Sequence, residues 1–131
     1  MLIIDCETTG VDTSRDQIVE LCIMADCVTR SRRFKPTVPI PAGATAVHGI
    51  TDADVTSCPA FSAFAKQVRD RLAAAEMICG YNIRFDLEII QAELARAGIE
   101  PLDLTRKTLI DAMRLWQHFE PRTLAAAHEK F

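Results

Sequence analysis

The stretch Leu2-Ile3-Ile4-Asp5-Cys6-Glu7-Thr8-Thr9-Gly10 near the start of this 131-residue chain combines an apolar run with two closely spaced acids. Its apolar residues predict a short buried strand that runs into Asp5 and Glu7. On an extended strand these two side chains project from the same face and lie close together. Two neighbouring carboxylates raise each other's pKa unless a cation joins them, and Mg²⁺ or Mn²⁺ suits carboxylate oxygens. Taken alone, the pair is also typical of a polar stripe on an edge strand.

A third carboxylate follows another predicted strand, far along the chain. The apolar stretch Glu76–Gly80 predicts a short buried strand, and a brief loop then leads into a helix whose first turn contains Asp86. An acid at this position is favoured by the helix dipole in any case. A carboxylate at a strand-to-helix junction is also what a metal site uses, so both interpretations apply to Asp86.

The remaining pattern predicts an α/β fold in which a three-strand meander precedes alternating helices and strands. Ligands in such sheets collect at strand ends where the strand order reverses, and Asp5 lies at one such end. The predicted strands are Leu2–Ile4, Ile18–Ala25, Arg32–Lys35, Glu76–Gly80 and Thr108–Ile110, with a turn at Thr29–Ser31 and a loop broken by Pro36, Pro39, Pro41 and Gly43. The predicted helices are Phe61–Leu72, Phe85–Ala97 closed by Gly98, Ala112–Phe119 capped by Asp111, and one that begins at Pro121.

Length and composition fit one globular domain over residues 1–131. The net charge of −3 does not indicate a polyanion ligand, but bound cations could bridge acidic side chains and phosphates. No apolar run approaches the roughly 18–20 residues of a membrane span, and Asp5 comes too early for a signal peptide. Five cysteines, an odd number, form no CxxC pair and no zinc pattern, which favours a reducing cytoplasm.

Three segments resemble the DEDD 3′–5′ exonucleases, in the branch typified by the proofreading ε subunit of DNA polymerase III. Ile3–Gly10 resembles the first motif, Gly80–Asp86 resembles the second, and Ala46–Thr51 is similar to the branch's "VHGIT" segment. The resemblance covers essentially the whole chain, in order and at family-like spacing. It implies a ribonuclease-H-like exonuclease fold, with a mixed sheet and flanking helices, that here lacks its last helix.

The resemblance also implies an activity, which is two-metal hydrolysis at the 3′ end of single-stranded nucleic acid, with DNA favoured over RNA. The complete site would hold two ions of Mg²⁺ or Mn²⁺. Asp5 would bind both, Glu7 would bind the metal that activates water, and Asp86 would bind the metal on the leaving-group side. The residues implied to contact the last nucleotide are Thr8, Thr9, Val47, His48, Asn82 and Phe85. On its own, His48 is also typical of a structural loop histidine.

The chain departs from the family pattern at its C-terminal end. The family completes its site with a general-base histidine and a fourth aspartate five residues later. His118 is followed at that distance by Thr123, and for His128 that position lies past Phe131. The third motif is therefore absent, and we expect the 131-residue chain to be inactive or nearly so.

Two classes of function fit these observations. The first is a metal-dependent exonuclease, and the second is a non-catalytic relative that binds nucleic acid or a DNA polymerase subunit. The retained acids favour the enzyme, because burying unpaired anions without a function is costly. A basic cluster fits either a solvated hairpin or a nucleic-acid track, and it consists of Arg30, Arg32, Arg33 and Lys35.

Overall fold

A five-stranded mixed sheet forms the centre of the computed structural model, which describes residues 1–119. Its strand order is β3-β2-β1-β4-β5, in which β1, β2 and β3 are antiparallel, whereas β4 and β5 run parallel to β1. The strands are β1 (Leu2–Thr8), β2 (Ile18–Ala25), β3 (Val28–Arg33), β4 (Met77–Gly80) and β5 (Thr108–Asp111). The helices are α1 (Ala42–His48), α2 (Asp52–Val55), a 3₁₀ turn (Phe61–Ala63), α3 (Ala65–Ala73), α4 (Ile83–Arg96) and α5 (Ala112–Phe119).

The main core lies between the sheet and helices α3 and α4. Leu2 and Ile4 of β1 point into it because alternate strand residues face the same side. Burying such aliphatic side chains stabilises the fold by about 1.5–3 kcal/mol each. The intervening residues Ile3, Asp5 and Glu7 therefore face the other side of the sheet, where the carboxylates remain accessible.

A β-bulge in β2 builds a second, smaller core beside the end of β1. Glu7 pairs with Glu20, but Thr8 pairs with Ile18, so Val19 is the extra residue on β2. Val19 packs with Ile40, Ile50 and Val55 rather than with the main core. This cluster anchors the segment that contains α1 and α2 next to β1.

Strand order reverses between β1 and β4. The chain builds β2 and β3 outward on one side of β1, and then places β4 and β5 on the other. The carboxyl ends of the parallel strands β1 and β4 meet at this switch point, which is where open α/β sheets bind ligands. The predicted α/β architecture is confirmed, but β1 continues to Thr8, so Asp5 lies within the strand, just past the residues that pair with β4.

Several predicted element boundaries were wrong. The hairpin turn lies at Asp26 and Cys27, not at Thr29–Ser31, because those two residues adopt positive φ as a two-residue hairpin requires. Strand β3 consequently starts at Val28 and ends before Lys35. Asp26 tolerates positive φ and was the residue that could have indicated the turn, whereas the apolar pattern gave no indication of it.

Helix boundaries also differed from the prediction. The proline-rich loop contains α1, which begins directly after Pro41, and α2, whose Thr51 and Asp54 form a capping box. The stripe that starts at Phe61 is a 3₁₀ turn followed by α3. The helix predicted from Pro121 lies outside the described residues. Within residues 1–119, no helix combines the length and the apolar character that crossing a membrane requires.

Two predicted helix ends are confirmed. Gly98 follows α4 with a φ of 67°, the left-handed conformation in which glycine lacks the Cβ penalty. Asp111 precedes α5, and its Oδ1 accepts a hydrogen bond from the backbone N–H of Met113 at 3.1 Å. The same oxygen accepts from the N–H of Asn82 at 3.0 Å, so Asp111 ties the end of β5 to the end of β4.

Candidate active site

Asp5 and Glu7 lie on one face of β1, as the strand geometry predicted. Each faces a partner on β2, since Asp5 is opposite Cys22 and Glu7 is opposite Glu20. Asp5 is exposed and Glu7 is half-buried. The central position of β1 in the sheet excludes the interpretation of this pair as an edge-strand stripe.

Asp86 reaches β1 from the first turn of α4. Its Oδ1 accepts a hydrogen bond from the backbone N–H of Cys6 at 3.1 Å, across 80 residues of sequence. Cys6 lies between Asp5 and Glu7, so this bond brings the third acid to the same stretch of β1 as the first two. Asp86 is 3% exposed and is thus one of the most deeply buried acids among residues 1–119.

The loop between β4 and α4 makes this approach possible. Asn82 has a φ of 58°, which reverses the chain between strand and helix, and asparagine tolerates this conformation better than most residues. At Gly80 a Cβ would lie 2.9 Å from the carbonyl oxygen of Ile4 and 2.9 Å from Cδ1 of Ile83. Glycine here lets α4 start close to β1, and Asp86 follows within one turn.

The three carboxylates carry more negative charge than their surroundings compensate. Burial, reinforced by the charge of Asp5, raises the pKa of Asp86 to about 7. Burial and the charge of Asp5 also raise the pKa of Glu7, although His48 acts in the opposite direction. Among residues 1–119, no lysine or arginine forms an ion pair with any of the three.

Cys6 belongs to the same electrostatic unit. Burial raises the pKa of its thiol well above the ordinary value, and the neighbouring Asp86 adds to that shift. The thiol therefore stays protonated and donates to Asp86, as the backbone N–H of the same residue does. Cys6 is thus a partner of the site and not a nucleophile.

The donor chemistry of the three acids suits a hard divalent cation, which prefers oxygen ligands. Their uncompensated charge would be neutralised by such an ion. Within the part of the chain that the structure describes, however, no three His, Cys, Asp or Glu side chains are arranged to enclose a metal. One oxygen of Asp86 faces Cys6, so the case for metal binding by these acids rests on their chemistry and charge rather than on a preformed cage.

Thr8 and Thr9, which were predicted to contact a nucleotide, use their hydroxyls for hydrogen bonds within the loop after β1. Thr8 Oγ1 donates to the carbonyl of Gly10 at 2.6 Å. Thr9 is 2% exposed, and its hydroxyl donates to Asp16 and accepts from the N–H of Gln17, both at 3.0 Å. Thr9 therefore holds the loop together through its hydroxyl, and its contact with a nucleotide stays a prediction.

His48 is fixed by hydrogen bonds at both ring nitrogens. Nδ1 accepts from the backbone N–H of Ile50 at 3.0 Å, so the proton of the neutral ring is on Nε2. Nε2 lies 3.2 Å from the carbonyl oxygen of Thr8 and donates to it. The histidine therefore connects the end of α1 to the end of β1, which agrees with its structural interpretation and still places it beside Glu7.

The other predicted contact residues lie on segments next to the ends of β1 and β4. Val47 is 84% exposed at the end of α1, Asn82 is exposed in the loop before α4, and Phe85 is half-buried in the first turn of α4. His118 is exposed on α5 and lines a cavity of about 970 Å³ between α4 and α5. His128 and Thr123 lie outside the described residues.

Asp16 is a site-supporting residue that the sequence analysis missed. Its carboxylate accepts from the backbone N–H of Asp12 at 2.8 Å and from the hydroxyl of Thr9. A side chain at Gly10 would collide with it. The signal that was available is the glycine itself, since a glycine after two threonines leaves room for a carboxylate to fold back over the loop.

The geometry places two motifs, 80 residues apart in sequence, on adjoining strand ends, and a family comparison agrees with it. The model of the RNase T exonuclease family matches residues 2–131. The chain belongs to this exonuclease family. The resemblance to the DEDD exonucleases and to the ε branch is thereby confirmed.

Two proteins are similar in sequence to part of this chain. The uncharacterized exonuclease CP81 of Escherichia phage 186 is 36% identical over 104 residues, covering 76% of this chain and 51% of that protein. A DNA polymerase III subunit epsilon-like protein of Rhodobacter capsulatus is 33% identical over 100 residues, covering 69% of this chain and 14% of that protein. The chain thus spans about half of the phage protein and a smaller part of the second.

A solved structure supports the fold independently. Product-bound exonuclease I aligns with 95% of this chain and 34% of its own, at a TM-score of 0.81 and 19% identity. At this level of identity the likeness shows the fold alone. It confirms the expected ribonuclease-H-like architecture, with a mixed sheet and flanking helices.

Proposed function

We propose that this exonuclease domain hydrolyses phosphodiester bonds at the 3′ end of single-stranded nucleic acid, with DNA favoured, and that divalent ions assist it. The observation that carries the proposal is the cluster of Asp5, Glu7 and Asp86 at the switch point of the sheet. These acids share a negative charge that residues 1–119 do not compensate with any ion pair. A cation from solution is the simplest compensation.

The three acids would hold two ions of Mg²⁺ or Mn²⁺ in the complete site. When bound, such ions polarise the phosphodiester and lower the pKa of a water molecule so that it can attack phosphorus. The charge of Asp5 acts on both Glu7 and Asp86, so Asp5 is the residue suited to contact both ions. Glu7 would serve the ion nearer β2, and Asp86 the ion nearer α4.

The surrounding residues would position the end of the strand. The backbone of Thr8 follows Glu7 directly, and its carbonyl is held by His48, so Thr8 would contact the terminal 3′-hydroxyl. Phe85 and the exposed Asn82 and Val47 border the same area and would contact the last nucleotide. Selection of a strand end follows from this arrangement, because the 3′-hydroxyl would lie beside the metal ligands.

Similar proteins support this proposal. Exonuclease I of E. coli, which has the same fold at a TM-score of 0.76 and 21% identity, is known in complex with a dT13 oligonucleotide. A zinc-bound complex of that exonuclease with single-stranded DNA is also known. The epsilon-like relative extends the proposal to a DNA polymerase subunit as a partner.

A non-catalytic binding module is the second candidate. The observation that favours it is the lack of an enclosed metal cage within residues 1–119. Such a module would bind single-stranded nucleic acid without cutting it. It gives no reason, however, for keeping Asp86 buried next to two other acids, which is costly when no cation is bound.

The test is hydrolysis of a 5′-labelled single-stranded DNA in Mn²⁺, with a 3′-phosphorylated copy as the blocked substrate. We expect the gene product at its natural length to shorten the strand from the 3′ end and Asp5→Asn to abolish this. Glu20→Gln is the matched control, since Glu20 shares the sheet face with Asp5. Binding without hydrolysis by the unaltered protein would support the binding module and contradict the enzyme.

The 131-residue chain, assayed beside a version extended by whatever native sequence follows Phe131, tests the expected loss of activity. Residues 1–119 contain three of the four expected metal-binding acids, and none of their histidines is followed by an aspartate five residues later. Because a missing general base costs about 10²–10⁴ in rate, we expect the shorter protein to be slower by at least that factor. Equal rates would show that the base lies within the chain, and His48 would then be the first candidate.

A further inference from the structure

A second candidate binding surface lies between β3 and α3. It is a groove of about 220 Å³ that we call the arginine groove, because Arg30, Arg32 and Arg71 line it. Its apolar part includes Phe64 and Val68. Arg32 pairs with Leu21, which belongs to the main core, so the groove opens on the opposite face of the sheet from Asp5 and Glu7.

Within residues 1–119, no ion pair balances the charge of the arginine groove. Ten arginines lie within residues 1–119, and six of them form an ion pair with a carboxylate. Three of the four others line this groove, and the fourth is Arg106. No acidic residue lines it, although the whole chain has a net charge of −3. Three unpaired cations around an apolar floor suit an anionic ligand that also has an apolar part.

One of these arginines is already held in place. The guanidinium of Arg32 lies over the ring of Phe64, 4.0 Å from its centre. Such a contact orients the planar group and leaves its edge N–H donors free for a carboxylate. It also covers the ring face that a nucleobase would need for stacking.

The free edge of the sheet adjoins the arginine groove. Strand β3 is the outermost strand, and all six of its residues are exposed. Its outer backbone N–H and C=O groups have no strand to pair with among residues 1–119. An extended peptide could pair with them, whereas a nucleic-acid strand has no backbone that forms such a ladder.

Charge excludes a second copy of the chain as the occupant of this edge. Two β3 strands placed side by side would bring Arg30, Arg32 and Arg33 of one copy against those of the other, and like charges directly opposite are destabilising. An acidic segment meets the opposite condition at each position. The chemistry of the groove and of the edge therefore points to one kind of partner.

We propose that the arginine groove binds an extended acidic peptide segment of a partner protein, which pairs with β3 as an added strand. Alternate side chains of that segment would face the groove, where its carboxylates meet Arg30, Arg32 and Arg71. The methylene groups of those acidic side chains would cover Val68 and its neighbours, and the residues between the acids would face the opposite side of the sheet. The surface is separate from the candidate active site, so binding does not require catalysis.

The test is fluorescence anisotropy with a labelled peptide in which glutamate alternates with valine. We expect it to bind the 131-residue chain, and the affinity to fall as salt is added. The combined variant Arg30→Gln, Arg32→Gln and Arg71→Gln should weaken binding by about tenfold or more, as three exposed charge pairs would. Arg106→Gln is the matched control and should change the affinity less than about twofold.

Three further measurements can overturn the proposal. A peptide with lysine in place of glutamate should not bind, and N-methylation of alternate backbone amides should abolish binding if the peptide adds as a strand. An oligothymidylate that displaces the peptide and loses affinity in the combined variant would show a nucleic-acid track instead. Circular dichroism checks the fold of the combined variant; should it fail, the single changes Arg30→Gln and Arg71→Gln are measured instead, and undiminished binding in both contradicts the proposal.

Discussion

The pKa values of acidic residues on two neighbouring strands of this sheet are shifted in opposite directions. Glu20 of β2 accepts hydrogen bonds from Ser31 and from Nε of Arg33, the latter at 2.8 Å, and these contacts lower its pKa. Glu7 lies directly across from it on β1, and burial together with the charge of Asp5 raises its pKa. Asp86 is shifted furthest, to about 7.

The opposite pKa shifts distinguish the acid that the sheet compensates from the acids that it leaves without a positive partner. The same sheet face that supplies Arg33 to Glu20 supplies no lysine or arginine to Asp5, Glu7 or Asp86 within residues 1–119. Structural acids are compensated locally, and perturbed, uncompensated acids in a cleft are typical of functional sites. We therefore interpret the β1–α4 acids as ligands for a cation from solution and Glu20 as part of the scaffold.

The largest effect should come from removing an acid on the uncompensated side. Asp86→Asn keeps the shape of the side chain and removes its charge, so we expect hydrolysis to fall by about 10³-fold or more. Because the three acids act as a unit, adding Glu7→Gln should cost little beyond that. Initial rates of the natural-length protein on single-stranded DNA measure both variants. A double variant that multiplies the two single losses would show that the acids act separately.

The next effect concerns the close approach that brings α4 to β1. In Gly80→Ala, the new Cβ would meet the carbonyl of Ile4 and the side chain of Ile83, and such overpacking costs about 1–3 kcal/mol. We expect lower unfolding free energy and weaker metal binding, because Asp86 would move away from β1. Gly43→Ala is the control, since nothing lies within 4 Å of its added Cβ. Equal stability of both variants would contradict the close-packing argument.

The pH dependence of the unfolding free energy should distinguish Asp86 from Glu20. The pKa of Asp86 is raised in the folded state, so the folded protein binds a proton that the unfolded chain has already released. The proton on Asp86 stabilises the folded protein fully below the ordinary pKa of an aspartate, and this contribution, on the order of 4 kcal/mol, is lost as the pH rises from there through about 7. Urea unfolding of the metal-free protein should show this fall. Asp86→Asn should remove it, and an identical slope in that variant would assign it to other groups.

The smallest effect belongs to Glu20. Its pKa is lowered, so its contribution is present above the ordinary pKa of a glutamate and is lost as the pH falls through the folded value. Because Arg33 is 46% exposed, solvent screens the pair, and Glu20→Gln should cost at most about 1 kcal/mol at neutral pH. The difference from the unaltered protein should vanish in acid, as urea unfolding at both pH values would show. A loss that persists in acid would point to packing rather than charge.

Sequence reasoning located the acids because strand periodicity and motif spacing are local properties. Asp5 and Glu7 share a face through alternation alone, and the helix after Gly80 placed Asp86 at a strand end. The opposite shifts of Glu20 and Glu7 could not be predicted in this way. They depend on which residue of β3 lies opposite Glu20. A turn at Thr29–Ser31 would give a strand pairing different from the observed one.

Loop residues were predicted less well than strands for a related reason. The hydroxyl of Thr9 was expected to contact a nucleotide, but it is consumed by Asp16, whose position depends on how the loop folds back. His48 was open to a structural or a nucleotide-contacting interpretation, and only its two ring contacts show how it is held. Such partnerships join residues whose spacing follows no strand or helix period.

If Asp5, Glu7 and Asp86 form a cation site, Mn²⁺ titration by calorimetry at about neutral pH should detect it. Since Asp86 is about half protonated near pH 7, binding should release a proton from it, seen as a heat that changes with the ionisation enthalpy of the buffer. We predict binding with proton release for the unaltered protein and for Glu20→Gln, and none for Asp86→Asn. Unchanged binding in Asp86→Asn, or no binding by the unaltered protein, would contradict the account.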